Sequence, residues 1–429
     1  MFQSVRGTFD VLPEAHSEGG SAVAGSAAWR YVEGVVRDVM ARYAFEEIRT
    51  PILEPVELIA RGVGATTDIV SKEMFTVERT RETYVLRPEV TAPVMRAVLQ
   101  HTLLGQKSPQ RLFYIGPCFR AERPQKGRFR QFHQFGTELL GADDARADAE
   151  TMACMHAVYA AFGITGTRLR LNTLGDAADR PRYRDALREH FAPHAASLSE
   201  TNRARLDANP LRILDTKDPA ERALLADAPR LPDFVGPAAA DHYAELKALL
   251  DGVGIAYVED PFLVRGLDYY TRTVFEMESD ALGAQAALGA GGRYDGLAQL
   301  VGAKAAVPAV GFGAGIERLF LALAAQGIAL PEAERPDAFI VALGDAATAA
   351  SFGLSETLRA AGLRIETALG GRSMKAQMKA ADRSGARVSL VLGDDEVAAG
   401  TVTVRDLSAS EQTAVERSAL ADHLIRLRG

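Results

Sequence analysis

The amino-acid sequence of 429 residues predicts an α+β region interrupted by a helical segment and followed by a smaller α/β module. Within residues 1–325, strand-like segments occur before and after a stretch at about 170–257, which has the pattern of helices joined by polar loops. Residues 335–429 alternate strands with helices, and a loop containing Gly327 and Pro331 precedes them. The sequence therefore predicts two domains, 1–325 and 335–429, the first with an insertion.

The first 100 or so residues predict a helix, three strands and a second helix, in that order. Apolar residues at helical spacing predict a helix at Trp29–Arg42, after a Gly-, Ser- and Ala-rich stretch, Glu14–Ala28, that is typical of a flexible loop. A strand is predicted at Phe45–Arg49, and Pro51 limits it because proline cannot donate a main-chain hydrogen bond. The remaining elements are strands at Met74–Thr76 and Thr83–Arg87 and a helix from Thr91 to about Gln100.

Two strands joined by a basic loop, within residues 111–141, form the most informative segment of the sequence. Because side chains alternate across a strand, Arg120 and Glu122 share one face of the first strand. One face of the second strand carries Phe132, Gln134 and Glu138, and the loop carries Arg123, Lys126 and Arg128. Charged groups on a sheet are costly unless they bind something, so the segment predicts a polar ligand floor beside a phosphate-binding loop. The alternative is a solvent-facing strand with scattered charges.

A second motif, Arg265–Glu276, is predicted to be a strand because aromatic and β-branched residues follow one another. Arg265 precedes it on a turn. Tyr269 and Tyr270 belong either to a core or to a site, and Arg265 could form a structural ion pair with Asp268.

Two glycine-rich motifs follow. Ala290–Gly296 is predicted to be a turn, and residues 310–323 a strand leading into a helix with Arg318 in its first turn. Three glycines of the second motif permit close approach by a flat ligand: Gly311, Gly313 and Gly315. This pattern also occurs in dinucleotide folds, but no parallel βαβ unit with an acidic residue downstream follows here.

The C-terminal residues predict a complete α/β module. Its predicted elements are strands at 338–342, 364–367, 387–392 and 401–406, helices at 346–361 and 373–384, and a terminal helix. The module has 12 Lys and Arg residues against 12 Asp and Glu residues, and is neutral overall. Its second helix concentrates four basic residues at helical spacing, which by itself indicates only a solvated face: Arg372, Lys375, Lys379 and Arg383.

Composition excludes several classes of protein. The chain is 47% hydrophobic and 24% charged, and no apolar run approaches the roughly 18–20 residues of a membrane span. The beginning of the sequence lacks a secretory pattern, and Cys118 and Cys154 lie in no paired motif, which argues against a disulfide scaffold or a zinc site. We expect a cytoplasmic protein without membrane contact. A net charge of −7 does not exclude nucleic-acid binding, because local basic patches suffice for it.

These motifs resemble those of class II aminoacyl-tRNA synthetases. The run FRAERPQKGRFRQFHQFGTELLG resembles their second motif, and in particular that of the histidyl-tRNA synthetase family, while Arg265–Glu276 resembles a motif peculiar to that family. Residues 310–323 resemble the third motif, and the first helix, strand and Pro51 resemble the first, which forms the dimer interface in the family. Val90 stands where the family commonly has glycine. The resemblance covers essentially the whole chain.

The resemblance implies a fold and an activity. The fold would be a catalytic domain with a mostly antiparallel sheet flanked by helices and a helical insertion, plus a C-terminal α/β anticodon-binding domain. The activity would be that of a histidine–tRNA ligase: histidine and ATP, with Mg²⁺, give histidyl-adenylate and pyrophosphate, and the histidyl group then moves to the 3′ end of tRNA(His). The protein would be a homodimer.

The resemblance also implies roles for individual residues. Catalytic arginines would be Arg120, Arg265 and Arg318. ATP would be bound by Arg120, Glu122, Arg128, Phe132 and Arg318. Histidine would be bound by Glu89, Thr91, Gln134, Glu138, Tyr269, Tyr270 and Tyr294. The tRNA acceptor stem would meet Arg123 and Gln125, and no metal ligand of protein origin is assigned.

The alternative function is the histidine-binding regulatory subunit of ATP-phosphoribosyltransferase, a non-catalytic relative with a similar fold. That protein resembles a synthetase without the C-terminal domain and with degraded ATP-binding motifs. Because the arginines at 120, 128, 265 and 318 and the C-terminal module are all present here, the sequence favours the ligase. A synthetase for another amino acid, such as proline or threonine, is disfavoured by the Arg265–Glu276 motif.

Overall fold

The computed structural model describes residues 2–18, 20–64, 67–80, 82–124, 127–216, 218–370, 373–409 and 411–428. The chain forms two compact units, Met1–Pro331 and Glu332–Gly429. Each unit has its own hydrophobic core.

The first unit is organised by one large sheet. The described strands of this unit are β1 (His16–Glu18), β2 (Ser21–Val23), β3 (Glu46–Glu47), β4 (Leu53–Pro55), β5 (Phe75–Arg79), β6 (Glu82–Leu86), β7 (Gln110–Phe119), β8 (Gln131–Leu140), β9 (Thr167–Thr173), β10 (Tyr257–Glu259), β11 (Thr271–Ser279), β12 (Ala287–Arg293) and β13 (Ala309–Gly315). Within the described residues, eight of them form a sheet in the order β10-β9-β11-β12-β13-β8-β7-β3. Its two outer pairs are parallel and the five inner pairs antiparallel, which confirms the predicted mostly antiparallel sheet.

Helices cover this sheet. The described α-helices of the first unit are α1 (Ser26–Arg42), α2 (Val56–Val63), α3 (Thr91–Gln100), α4 (Leu103–Gln106), α5 (Ala145–Ala161), α6 (Arg180–Phe191), α7 (Glu200–Ala208), α8 (Pro219–Ala223), α9 (Pro237–Gly252), α10 (Leu297–Leu300) and α11 (Ile316–Ala325). The apolar stripes of α1 and α5, including Val36 and Met152, pack with Phe275 of the sheet in one core. Asp144 begins α5 by accepting a hydrogen bond from the N–H of Ala147.

The predicted helical insertion is confirmed, with one correction at its beginning. Helices α6 to α9 and short 3₁₀ turns occupy residues 180–252. Residues at the start of the predicted segment belong instead to β9, where Leu169 and Leu171 are buried in the sheet core. Alternating apolar residues of that kind favour a strand, and pairing with β11 stabilises it.

Two predictions for the N-terminal region need correction. The stretch Glu14–Ala28 is not a loop throughout, because it contains the antiparallel pair β1–β2 and the first residues of α1. The strand predicted at Phe45–Arg49 is shortened to Glu46–Glu47, which pairs with β7 at one edge of the large sheet. Local propensity does not record such edge pairing, since the partner lies far away in the sequence.

Two predictions in the motif regions also need correction. Strand β7 ends at Phe119, so Arg120 and Glu122 lie beyond it and not on a strand face. Residues 290–293 belong to β12 and not to a turn, because their glycines allow close packing between β11 and β13. A Cβ added at Gly291 would lie 2.1 Å from the carbonyl oxygen of Gly311.

The second unit is an α/β module, as predicted. Its described elements are β14 (Ala338–Leu343), α12 (Asp345–Ala360), β15 (Ile365–Thr367), α13 (Met374–Ser384), β16 (Val388–Gly393), α14 (Asp394–Ala399), β17 (Thr401–Asp406), β18 (Gln412–Glu416) and α15 (Leu420–Arg428). Within the described residues the strand order is β15-β14-β16-β17-β18. The sequence did not predict α14 or β18; α14 is short and acidic, and β18 is mostly exposed at the sheet edge, so neither shows an apolar pattern.

Candidate active site

A polar cleft of about 310 Å³ is lined by residues of β8, β11, β12 and β13 and by the beginning of α11. All six residues predicted to bind ATP or its α-phosphate line this cleft: Arg120, Glu122, Arg128, Phe132, Arg265 and Arg318. Gln134 lines it as well. The structure thus brings side chains from three separate motifs to one place, although the sequence distance between Arg120 and Arg318 is large.

Ion pairs and ring contacts hold the arginines of the cleft. The guanidinium of Arg120 lies over the Phe132 ring at 5.2 Å from its centroid, and its Nε donates to the carbonyl oxygen of Pro88 at 3.0 Å. Arg128 donates to Glu122 Oε2 at 3.3 Å, and Arg265 donates to Glu276. These contacts fix cations around the cleft before any ligand binds.

Among the described residues that line the cleft, four arginines are balanced by four glutamates, and the arginines provide local sites for an anion. Burial, and next the charge of Arg128, lowers the pKa of Arg318. Arginine charges that lie this close to one another are stabilised by a negatively charged ligand. The arginines therefore favour phosphate groups, and the ring of Phe132, which lines the cleft, favours a flat ring.

A cluster of mostly buried side chains, Glu89, Thr91, Glu138, Tyr269, Tyr270 and Tyr294, lies beside the cleft; we call it the carboxylate pocket, and its centre is Glu138. This residue lies on β8, the strand that also carries Phe132 and Gln134, and its exposure is 1%. Thr91 Oγ1 donates to Glu138 Oε1 at 2.6 Å, and the hydroxyl of Tyr294 donates to Oε2. Two residues predicted to bind histidine thus already contact the predicted imidazole partner.

Glu89, another predicted histidine-binding residue, is anchored at the beginning of α3. Its Oε2 accepts from the N–H of Thr91 and its Oε1 from the N–H of Ala92, both at 2.9 Å. Burial raises the pKa of Glu89. Val90, the residue before Thr91, has a φ of −115° and is 1% exposed. Any L-residue can adopt this backbone conformation, so valine stands in the place of the family glycine without strain.

Tyrosine rings form the wall of the pocket. The ring centroids of Tyr269 and Tyr270 are 4.7 Å apart, and those of Tyr269 and Tyr294 are 5.5 Å apart. The sequence reasoning missed Tyr114, a buried residue of β7 whose pKa is raised by burial and then by the charge of Glu138. Tyr114 stands in an apolar strand pattern, so only its position beside the pocket identifies it.

Gly311 has a different role from the one predicted. It pairs with Glu138 across β13 and β8, and a Cβ at Gly311 would lie 2.0 Å from Glu138 Oε2. Its missing side chain therefore makes room for the carboxylate and not for a flat ligand. Gly313 and Gly315, in contrast, do line the cleft.

A second group of residues that sequence reasoning missed supports Tyr294. The preceding residue, Arg293, is fully buried, and it donates to Asp148 Oδ1 from Nη2 at 2.8 Å and from Nε at 3.1 Å. His242 Nε2 and Thr273 Oγ1 contact Asp148 Oδ2 at 2.5 and 2.7 Å. This network fixes the backbone that carries Tyr294. It cannot be predicted from a local sequence pattern, because its members are far apart in the sequence.

The remaining predicted residues are not joined to the cleft. Arg123 is exposed and is not among the residues that line it. Gln125, Lys126 and Arg372 lie outside the described residues. Within the part of the chain that is described, no three His, Cys, Asp or Glu side chains are grouped so as to hold a metal ion. Cys118 and Cys154 are both free and buried.

Glu138 makes the stability of the unliganded protein depend on pH. Burial raises its pKa from 4.5 to about 8, against the opposing hydrogen bonds from Thr91 and Tyr294. The folded protein therefore keeps a proton that the unfolded chain releases, and stability is lost as the pH rises from about 4.5 to about 8, by at most about 1.4 kcal/mol per pH unit.

We expect Glu138→Gln, which cannot ionise, to gain stability relative to the wild type across this pH range. Urea unfolding of both proteins at several pH values from about 5 to about 8 measures the difference. A difference in the free energy of unfolding that does not change with pH would contradict the raised pKa.

Comparison with known proteins covers both units. A family model described as histidyl-tRNA synthetase matches residues 24–319, and one described as anticodon binding domain matches residues 337–427. The histidine–tRNA ligase of Prosthecochloris aestuarii is 48% identical over 96% of each chain, and that of Geobacillus thermodenitrificans is 46% identical over 99% of this chain and 98% of its own.

Solved structures agree. Apo histidyl-tRNA synthetase of S. aureus has a TM-score of 0.81 and 36% identity, covering 99% of this chain and 100% of its own. A Bacillus halodurans protein titled ATP phosphoribosyltransferase regulatory subunit/histidyl-tRNA synthetase has a TM-score of 0.63 and 24% identity over 92% of this chain and 98% of its own, and shows a shared fold only.

The antiparallel-rich sheet, with arginines from three motifs around one cleft, defines a class II aminoacyl-tRNA synthetase, an ATP-dependent ligase. Similarity over the full length of the chain shows which family within this class it belongs to. The chain belongs to the histidyl-tRNA synthetase family. Its activity is that of a histidine–tRNA ligase and not of the regulatory subunit, since the match extends through the anticodon-binding domain. Among the described helices, none has the length and apolar character to cross a membrane.

Proposed function

We propose that the cleft binds ATP, that the adjoining pocket binds histidine, and that histidyl-adenylate forms where the two meet. The observation that carries this proposal is that β8 presents Phe132 and Gln134 to the cleft and buries Glu138 beside it. A carboxylate of histidine held near Gln134 would lie next to the arginines that surround the ATP phosphates.

The arginines have a direct role in this chemistry. Attack by the histidine carboxylate on the α-phosphorus of ATP develops negative charge on the equatorial oxygens and on the departing pyrophosphate. Arg120 and Arg265 contact the α-phosphate, whereas Arg128 and Arg318 contact the rest of the nucleotide. Fixed cations stabilise charge that develops in the transition state, and little covalent help is required. Phe132 stacks on adenine, and Glu122 accepts from its amino group.

Recognition of the histidine side chain needs partners for two ring nitrogens. Glu138 accepts from one ring N–H and the hydroxyl of Tyr270 meets the other nitrogen. Glu89, Thr91 and Gln134 hold the amino and carboxylate groups, while Tyr269 and Tyr294 enclose the ring. A buried carboxylate with a raised pKa suits a ligand that itself carries a proton near neutral pH.

Mg²⁺ would enter with the ATP phosphates. This ion takes one or two protein carboxylates together with phosphate oxygens, so it needs no cage of three protein ligands. Glu73, Glu122 and Glu276 line the cleft and offer such carboxylates. The ion would neutralise charge on the phosphates and on the leaving pyrophosphate.

The two units divide the work in this proposal. Residues 1–325 form the catalytic domain, and residues 335–429 bind the anticodon of tRNA(His). The basic loop with Arg123 and Gln125 meets the acceptor stem, where positive charge attracts phosphates. The protein acts in the cytoplasm as a homodimer built on its first motif.

Histidine-dependent exchange of labelled pyrophosphate into ATP tests the proposed function. The exchange should require histidine, because it proceeds through reversible formation of the adenylate. Proline or threonine in place of histidine should not support it. Absence of exchange in a folded protein that binds both ATP and histidine would overturn the proposal.

Removal of residues 332–429 should separate the two half-reactions. The cleft residues all precede the deletion, so we expect pyrophosphate exchange to persist, whereas charging of tRNA should fall because anticodon contacts are lost. Circular dichroism and light scattering would establish that the truncated protein is folded and has the same oligomeric state. Charging at full-length efficiency by such a protein would refute the anticodon assignment.

A further inference from the structure

A second cavity, of about 40 Å³, shares Arg265 with the cleft. We call it the arginine cavity, and its charged and amide lining residues are Arg180, Arg184, Asn209, Arg212, Arg265 and Asp268. Arg180 and Arg184 lie on α6, in the insertion, so this cavity joins the insertion to the Arg265 motif. No insertion residue that the structure describes lines the cleft itself.

The lining of the arginine cavity carries a surplus of positive charge, of which Glu276, outside the lining, offsets one charge by pairing with Arg265. Among its described lining residues, four are arginines and Asp268 is the one carboxylate. Asp268 Oδ1 already accepts from Arg212 Nη2 at 3.1 Å and from Asn209 Nδ2 at 3.2 Å. Burial, and then the charge of Arg184, lowers the pKa of Arg180. Such crowding of cations is costly unless an anion binds among them.

The same four arginines have unused hydrogen-bond donors. Their Nε atoms are buried and donate to no acceptor in the described part of the protein. Other nitrogens of these side chains are fixed, since Arg180 donates to the carbonyl oxygen of Tyr270 and Arg212 to that of Gly266. Buried N–H groups are nearly always paired, so several unpaired ones around one cavity indicate a missing acceptor.

Asn209 adds an acceptor to this set of donors. Its Nδ2 donates to Asp268, which fixes the orientation of the amide, and its Oδ1 is buried without a donor among the described residues. A free phosphate ion near neutral pH offers mainly acceptors. A phosphate followed by a ribose hydroxyl offers both an acceptor group and a donor, as the RNA backbone does.

We propose that the arginine cavity binds a phosphodiester group near the 3′ end of tRNA, and that a neighbouring ribose hydroxyl donates to Asn209. This inference rests on the proposed function. The terminal ribose must reach the histidyl-adenylate in the cleft, and Arg265 lines both spaces, so the phosphate attached to that ribose arrives beside the cavity. Arg180, Arg184 and Arg212 line the cavity but not the cleft, so they remain for the tRNA phosphate while Arg265 contacts the α-phosphate of ATP.

Arg184→Gln tests the proposal, and Arg182→Gln is the matched control, because Arg182 lies on the same helix but is exposed and does not line the cavity. We expect Arg184→Gln to raise the KM for tRNA in charging by about tenfold or more, the effect of losing one charge-assisted hydrogen bond. The affinity for inorganic phosphate should fall by a similar factor in Arg184→Gln. It is measured by ³¹P NMR in the presence of saturating ATP, which fills the cleft, and without histidine. The control should match the wild type in both measurements.

Each other outcome contradicts the proposal. Weakened phosphate binding with an unchanged KM for tRNA would show that the cavity takes free phosphate and not the nucleic acid. No change in either measurement would show that the arginines only hold the insertion against the Arg265 motif. Histidine-dependent pyrophosphate exchange by the wild type uses no tRNA, so failure of the proposed function is detected separately.

A second variant covers the case in which Arg184→Gln does not fold. Arg184→Lys keeps the charge but loses the planar fork, and we expect a KM for tRNA between those of the wild type and a charge-free variant. A folded Arg184→Lys protein whose KM for tRNA and affinity for phosphate both equal those of the wild type, at low salt as well as at high salt, would refute the guanidinium contact.

Discussion

Replacing Arg265 by alanine should lower the rate of histidyl-adenylate formation by about 10²–10³-fold while histidine binding stays measurable. The guanidinium contacts charge that develops mainly in the transition state, so its loss affects the chemical step more than ground-state binding. Single-turnover formation of the adenylate, measured by rapid quench, gives the rate, and equilibrium titration gives the histidine affinity. A near-normal single-turnover rate would remove Arg265 from the catalytic residues.

Arg111→Ala is the matched control for this experiment. Arg111 also forms an ion pair on the large sheet, with Glu150 at 2.8 Å, and its side chain is 29% exposed, close to the 23% of Arg265. It does not line the cleft. We expect Arg111→Ala to keep the wild-type adenylation rate, since the loss of a partly exposed pair costs little stability.

Glu138→Gln should lower the affinity for histidine by about tenfold or more and leave ATP binding almost unchanged. In the empty pocket the pKa of Glu138 is about 8, so its carboxyl is largely protonated at neutral pH. Contact with an imidazole lets that proton move to the ring and forms a charge-assisted pair, which an amide cannot do. Isothermal titration with histidine and, separately, with ATP measures both affinities.

The control is Glu54→Gln, a carboxylate that is 2% exposed and paired with Arg96 but does not line the cleft. It should bind histidine as the wild type does. An unchanged histidine affinity in a folded Glu138→Gln protein would mean that Glu138 does not face the imidazole, and the pocket assignment would then be wrong.

The extent of sequence-based prediction is clear from particular elements. Helix α1 followed from apolar periodicity, and β7 and β8 followed from their richness in Phe, Tyr and Ile between Gly and Pro residues. The α/β alternation after Pro331 was also predicted from the sequence. The short elements β18 and α14, and the pair β1–β2, did not, because their stability comes from neighbours distant in sequence and not from their own residues. Tyr114 and Asp148 could not be identified for a related reason: a buried polar residue within an apolar strand or helix has no local signature.

The sequence by itself determined the mostly antiparallel fold, the two-part organisation and the family. Each of the motifs that identify them is a contiguous run of residues and can be recognised without the structure. The tertiary structure alone decided which residues of those motifs meet. It assigned Gly311 to make room for Glu138, set Arg120 and Glu122 beyond the end of β7, and gathered unpaired arginine donors from α6 beside Arg265. Burial and contact are properties of three-dimensional neighbours, so the raised pKa of Glu138 and the charge of the arginine cavity arise only when the chain folds.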